Sequence, residues 1–288
     1  MDRQKYILVT GAGGQLGMEL QQLAPLFPEY SFLFTRSDLP IENSRVVKHF
    51  FELQQIDVCI NCAAYTAVDK AEVERDIAFM VNAEAVGNLA EICKQHRSMF
   101  IHISTDYVFD GSSKDAYRED HGISPLNVYG ESKLKGEELA LNHNPDAVII
   151  RTSWLYSSFR HNFVKTMIRI MSERAVVNVV DDQYGCPTYA GDLAKVIVEI
   201  IEHQGLTGGI INYSNAGVAS WYEFAIAIKE YTKSACTVNP VPSLQFPTPA
   251  KRPKYSVLDT TRIKELLGIE IPHWKDSLKE CMKLLGYL

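Results

Sequence analysis

Tyr6-Ile7-Leu8-Val9-Thr10-Gly11-Ala12-Gly13-Gly14-Gln15-Leu16-Gly17 is the stretch on which the fold turns. A short apolar run feeds a glycine-rich turn. The turn feeds a helical spacing of Leu16, Leu20 and Leu23, which Pro25 stops. Gly11 permits the tight turn, Gly14 lets the backbone approach a pyrophosphate, and Gly17 allows the helix to lie close to the strand. The first helical turn then offers free N–H groups and a positive dipole end to phosphate oxygens. A lone glycine motif is weak, and its strand–turn–helix setting is what gives it weight.

Outward from this loop, residues 30–35, 58–64, 99–104 and 147–152 are further strand-like runs, with helical or amphipathic segments at 46–53, 76–95 and 128–141. Strands alternating with helices imply βαβ units and a parallel sheet with right-handed crossovers. The expected class is α/β, a Rossmann-type doubly wound parallel sheet with a smaller C-terminal α/β substrate-binding subdomain. The rhythm loosens after Ser153. Helices are expected at 161–172, 191–203, 220–231, 260–267 and 275–285, and strands at 176–180 and 210–213. Prolines at 240, 242, 247, 249 and 253 suggest an extended loop. Residues 1–153 are therefore read as an NAD(P)-binding domain carrying the catalytic residues. Residues 154–288 are read as mainly substrate-binding, with a soft boundary because some strands of the second part can return to the main sheet.

The 288 residues carry 29 Lys+Arg against 35 Asp+Glu, a formal charge of -6, which offers no electrostatic footprint for nucleic acid. The run Lys251-Arg252-Pro253-Lys254 is too small to reverse that. The start, Met1-Asp2-Arg3-Gln4-Lys5, leads into an apolar run far too short for a signal peptide. No stretch approaches the ~18 apolar residues of a membrane span. A cytoplasmic protein without nucleic-acid or membrane partners is expected. Cys59 and Cys62 form a Cys-x-x-Cys pair, but they lie in a strand-like run, where side chains three apart face opposite ways. The second pair that a zinc ribbon needs is absent. All six cysteines read as reduced, mostly buried thiols.

Tyr129 and Lys133 stand at i and i+4 on one helix face. In a carbonyl reductase a phenol gives a proton to the oxygen as hydride reaches the carbon. Its ordinary pKa of about 10 is high for that task, and a neighbouring ammonium lowers it. The same lysine can hold the nicotinamide ribose. Roughly one such pair is expected by chance among 14 tyrosines, so position must carry the argument. The pair opens a helix downstream of Ile101-His102-Ile103-Ser104-Thr105-Asp106, a strand end that belongs at the carboxyl edge of the sheet. Thr105 can bond both the substrate carbonyl and the phenol. The small residues of Asn61-Cys62-Ala63-Ala64 leave room for a flat cofactor. At the second strand's end an acid would bind a ribose diol, whereas an arginine can pair with a 2′-phosphate. In Thr35-Arg36-Ser37-Asp38 the arginine comes first, which favours NADPH, with NADH as the alternative.

Several stretches carry a resemblance: Asn61 to Glu72, Ser104 to Gly111, Pro125 to Glu137, Arg151 to Tyr156, Asp182 to Thr188, Ser220 to Phe224 and Arg252 to Asp259. Together the chain resembles the dTDP-4-dehydrorhamnose reductase family of the extended short-chain dehydrogenase/reductase superfamily. The resemblance implies NAD(P)H-dependent reduction of the C4 keto group of dTDP-4-dehydro-L-rhamnose to dTDP-L-rhamnose. It implies Thr105, Tyr129 and Lys133 as catalytic residues. Cofactor contacts would come from Gly11, Gly14, Gln15, Leu16, Gly17, Arg36, Ile41, Ala63, Ala64, Tyr65 and Thr66, together with Tyr129 and Lys133. The dTDP-sugar would meet Thr105, Asp106, Trp154 and Arg252, the last through its diphosphate.

The pattern departs at two places. Leu39-Pro40-Ile41 lacks the acid that the family often has at its centre. Glu19 fits a position where some relatives hold magnesium at a dimer contact, but Gly191 stands where another ligand is expected. No metal is therefore expected, and a homodimer is the candidate assembly. Two alternatives stay open: a reductase or epimerase of another nucleotide sugar, and a non-catalytic NADP-binding regulatory subunit resembling that of methionine adenosyltransferase. The intact Thr105, Tyr129 and Lys133 favour an enzyme.

Overall fold

The computed structural model describes residues 4–203 and 208–288. The first half runs β1 (Lys5–Thr10), α1 (Gln15–Leu23), β2 (Tyr30–Phe34), α2 (Ser44–Leu53), β3 (Val58–Asn61), α3 (Val68–Ala71), α4 (Arg75–Phe79), α5 (Ala85–His96), β4 (Met99–Thr105), α6 (Val128–His143) and β5 (Val148–Thr152). The second half adds β6 (Leu155–Tyr156), α7 (Phe163–Glu173), β7 (Val176–Val180), β8 (Tyr184–Gly185), β9 (Thr188–Tyr189), α8 (Ala190–Glu202), β10 (Gly209–Asn212), β11 (Ala219–Ser220), α9 (Trp221–Thr232), β12 (Thr237–Val241), α10 (Thr261–Leu267) and α11 (Trp274–Leu284).

Six strands form one wholly parallel sheet in the order β10-β5-β4-β3-β1-β2. Both faces are covered, so the strands are continuously apolar rather than alternating. Ile7 and Val9 of β1 enter a core shared with α1 and α8, whereas Leu8 enters the opposite core with α2 and α5. The strand order reverses at β1, which is flanked by β2 and β3, and this reversal opens the crevice where doubly wound sheets take ligands. Cys59 and Cys62 obey the same alternation, one packing into each core, and all six thiols are free.

Two expected elements differ in detail. The third strand stops at Asn61 rather than continuing to 64, so Cys62 to Thr66 leave the sheet as a loop over its carboxyl edge. The helix expected over 76–95 is broken by a π turn at Met80–Glu84. That extra residue per turn aims the buried Asn82 at the departing loop, where its amide accepts from Tyr65 N–H (2.8 Å) and donates to Tyr65 C=O (3.0 Å) and Ser132 Oγ (3.0 Å).

The second half does not form a wholly separate body. Strand β10 pairs with β5 and α8 covers the main sheet, while α7, α9 and α11 enclose a smaller core built around Phe224, Trp274 and Leu278. Pro240 lies within β12, in a two-stranded ribbon with β7, and the irregular proline-rich segment begins after it. Among the described residues no helix is long and apolar enough to cross a membrane.

Candidate active site

Gly11 makes the first turn at φ +62°, and a Cβ there would lie 2.5 Å from the backbone of Ala63. Only glycine lets β1 and the β3 loop approach so closely. Gly14 caps α1 without any side-chain hydrogen bond, so the first N–H groups of the helix are left for a ligand. A cleft of about 890 Å³ opens there, at the upper end of the range for ligand pockets. Its walls include Gly11, Gly14, Gln15, Leu16, Gly17, Arg36, Ile41, Ala63, Ala64 and Thr66. Thr105, Asp106, Tyr129, Lys133 and Trp154 line it too. The fit to a dinucleotide rests on this glycine cradle, the uncapped helix and the room between them.

Two residues expected at the site stand off it. Tyr65 packs against Ala71, Ala78 and Val128, and its hydroxyl donates to Glu74, so its ring does not line the cleft. Arg252 also lies outside the lining. Both arms of its guanidinium close on Asp69, at 3.1 and 2.9 Å, and Nη1 adds a bond to Ala250 C=O at 3.1 Å. The free fork anticipated for a diphosphate is already occupied by a carboxylate.

Helix α6 begins where it does because Asn127 accepts from Gly130 N–H (2.8 Å) while Glu72 accepts from Val128 N–H (2.9 Å). A Cβ on Gly130 would come within 2.2 Å of Tyr107 C=O, so the glycine lets the helix start press on the turn after β4. This brings Tyr129 beside Thr105 and sets its ring edge-on to Tyr107, with centroids 5.9 Å apart. One turn further, Lys133 is fully buried. Glu137, another turn on, accepts from buried Arg151 of β5 at 3.0 and 2.6 Å and also from Ser104 Oγ. Tyr129, Lys133 and Glu137 thus share one face of α6, and the ion pair at its inner end holds that face against β4 and β5.

Burial raises the Tyr129 phenol to about 12; the Asp106 carboxylate adds to the shift and the Thr105 hydroxyl opposes it. The lysine does not contribute the expected lowering. Lys133 Nζ is drawn under the sheet edge to Ile103 C=O (2.6 Å) and His102 Nε2 (3.1 Å), and burial pulls it down to about 8. Asp106 is buried and raised to about 7 by desolvation, partly offset by the Ser256 and Thr105 hydroxyls. Its Oδ2 has no hydrogen bond among the described residues.

Trp154 is held at φ +46° and stacks on Trp221 with centroids 3.5 Å apart and planes 6° from parallel. Both rings line the cleft. Sequence reading singled out Trp154 but missed Trp221, and it missed Tyr107, Arg160 and His161, which are also in the walls. Glu19 is buried away from the cleft, where it accepts from Ser157 Oγ at 2.6 Å, and desolvation raises its carboxyl.

Fold and site together define a nicotinamide-dependent oxidoreductase of the short-chain dehydrogenase type. A family model described as the RmlD substrate binding domain matches residues 5–286, and the chain belongs to that family. It is 42% identical to a dTDP-4-dehydrorhamnose reductase of Aggregatibacter actinomycetemcomitans, over 95% of this chain and 97% of that protein. The crystal structure of a dTDP-4-dehydrorhamnose reductase from Clostridium acetobutylicum is similar at TM-score 0.93 and 42% identity, covering 98% of this chain and 99% of the other. The Bacillus anthracis dTDP-4-dehydrorhamnose reductase, solved in complex with NADP, is similar at TM-score 0.93 and 38% identity with the same coverage.

Proposed function

We propose that this chain reduces the C4 keto group of dTDP-4-dehydro-L-rhamnose to give dTDP-L-rhamnose, using NADPH. The observation that carries the reading is the gathering of Thr105, Tyr129 and Lys133 on one wall of the glycine-loop cleft. When bound, NADPH supplies the hydride. The chain supplies the proton and the alignment. With its pKa raised to about 12, the Tyr129 phenol is protonated at neutral pH and donates to the oxygen formed at C4. The Thr105 hydroxyl lies beside the phenol and here donates to Asp106 Oδ1 at 3.1 Å; turned to the same substrate oxygen, it would fix its direction. Lys133, anchored on β4 and lining the same cleft, would hold the ribose next to the nicotinamide. The unpaired Asp106 Oδ2 is a spare acceptor for a sugar hydroxyl, and the paired indoles of Trp154 and Trp221 offer an apolar wall to the sugar.

A role limited to cofactor binding would leave the buried, protonated phenol with nothing to give its proton to. The cytoplasm is the compartment we assign, and six unpaired thiols suit its reducing conditions. The test is to offer several dTDP-keto sugars with NADPH and with NADH and to follow loss of the reduced cofactor's absorbance. Oxidation dependent on dTDP-4-dehydro-L-rhamnose is expected. Turnover with another keto sugar but not with this one would overturn the substrate.

A further inference from the structure

Arg36 follows β2, whereas Arg160 lies in the loop before α7, yet both side chains reach Gly13. Arg160 Nη2 is 3.3 Å, and Arg36 Cδ 3.5 Å, from the point where a Gly13 Cβ would sit. Arg160 Nε donates to Gly13 C=O, which leaves its two Nη groups for another acceptor. Neither guanidinium has a carboxylate partner among the described residues. Asp38, the nearest acid in sequence, is turned back onto the Arg36 backbone N–H at 2.6 Å. Two like charges over one glycine repel, and a doubly charged anion between them reverses that sign.

The loop that presents Arg160 is built for the position. Arg160 itself adopts φ +55°, in the left-handed region that disfavours any side chain. Asn162 holds the loop closed by donating to Ser157 C=O (2.7 Å), and docks it on the glycine turn by donating to Gln15 Oε1 (2.9 Å). Both arginines line the cleft at the end where the β2 tip places the adenosine ribose.

We propose that Arg160 is a second ligand for the 2′-phosphate of NADPH, clamping it together with Arg36. The second half of the chain thereby takes part in choosing the cofactor, a task usually left to the β2 tip. This rests on the reading of NADPH as the reductant. Replacement should leave the fold intact because Arg160 is exposed, and Arg160→Gly accommodates the positive φ without strain.

The experiment titrates NADPH, NADH, 2′,5′-ADP and 5′-AMP by protein fluorescence in wild type, Arg160→Gln, Arg160→Gly and Arg36→Ala. Both Arg160 variants should weaken NADPH and 2′,5′-ADP by about tenfold or more, and NADH and 5′-AMP by less than about twofold, as expected for charge-assisted bonds to one phosphate. Equal weakening of the ligands with and without the 2′-phosphate would place Arg160 on the pyrophosphate and overturn the proposal, as would no change at all. A wild type that binds NADH as tightly as NADPH would overturn the cofactor reading instead. Arg160 would then still be judged by the ratio of 2′,5′-ADP to 5′-AMP in its variants.

Discussion

Lys133 and His102 are hydrogen-bonded in the interior, Nζ to Nε2 at 3.1 Å, and this contact couples the lysine's charge to the imidazole tautomer. Asn61 Oδ1 accepts from Ala63 N–H (3.2 Å) and from the Thr10 hydroxyl (2.7 Å), so its Nδ2 faces His102 Nδ1 as a donor at 3.0 Å. The Nδ1 atom must then accept, which leaves the ring proton on Nε2, pointing at Lys133. A neutral amine accepts that proton and gives its own to Ile103 C=O. An ammonium places donors at both ends of the imidazole. Burial pulls Lys133 down to about 8 against the opposing charge of Glu137, and burial together with the Lys133 charge holds His102 well below the ordinary histidine range.

A folded lysine near 8 against an unfolded value near 10.5 holds fewer protons than the unfolded chain between those limits, so its contribution to stability grows as pH rises through that window. Thiols raised by desolvation, such as Cys62, titrate the other way, so the effect is isolated as a difference between two proteins. Urea midpoints for wild type and Lys133→Met, measured from pH 7.5 to 10, should show wild type gaining on the variant. A constant gap would mean that Lys133 stays charged in the fold throughout.

Removing the proposed proton donor tests the chemistry directly. Tyr129→Phe keeps the ring against Tyr107 but leaves no phenolic proton, and turnover should fall ~10²–10⁴-fold. NADPH affinity should change little, because the glycine loop and the uncapped start of α1 are untouched. Near-normal turnover in the folded variant would remove Tyr129 from the mechanism.

What the sequence made legible follows the range of the forces involved. The glycine loop and the Tyr129–Lys133 pair are local patterns, and the strand–helix alternation around them dictates one sheet edge, so their meeting in one cleft was readable. Arg160 and Trp221 reach the cleft only through docking of distant segments, and no periodicity marks them, whereas Tyr107 follows Thr105 in the turn after β4 and carried no motif of its own. Asn82 was hidden for another reason. A helix of ordinary pitch would have aimed it elsewhere, and only the π turn directs it at Tyr65. Arg252 shows the opposite failure, since its residue type suited a diphosphate but sequence alone could not reveal that Asp69 lies within reach, 183 residues away.

The Glu137–Arg151 pair should be costly to break singly. Both side chains are essentially inaccessible, at 2% and 0% exposure, and each satisfies the other's charge. Arg151→Met leaves an uncompensated buried carboxylate and should cost ~3–5 kcal/mol in denaturant titrations, whereas replacing both partners by apolar residues should recover much of that. Because Glu137 shares the α6 face with Tyr129 and Lys133, Arg151→Met should also lower kcat through their misplacement. A variant of wild-type stability would show that the buried pair does not hold the helix.

Arg252 decides how the proline-rich segment serves the site. Asp69 accepts from both arms of Arg252 and from Ala250 N–H at 3.2 Å, which ties that segment to α3. Burial raises the Asp69 carboxyl, and the Arg252 and Ala250 donors outweigh it, holding the group below the usual range. Asp69 is 42% exposed, so solvent screening limits the pair to ~1 kcal/mol. As a brace, Arg252→Ala and Asp69→Ala should lose stability alike, with no further loss in the double variant, and should raise the KM for the dTDP-sugar together while the NADPH dissociation constant stays put. A ligand for the sugar diphosphate would behave differently. Arg252→Ala alone would then raise KM, by a factor set by the ~2–5 kcal/mol of a buried charge pair, while Asp69→Ala would leave KM unchanged or improve it by freeing the fork. Parallel KM and stability measurements on the three variants separate the two, and the closed contact with Asp69 predicts the first pattern.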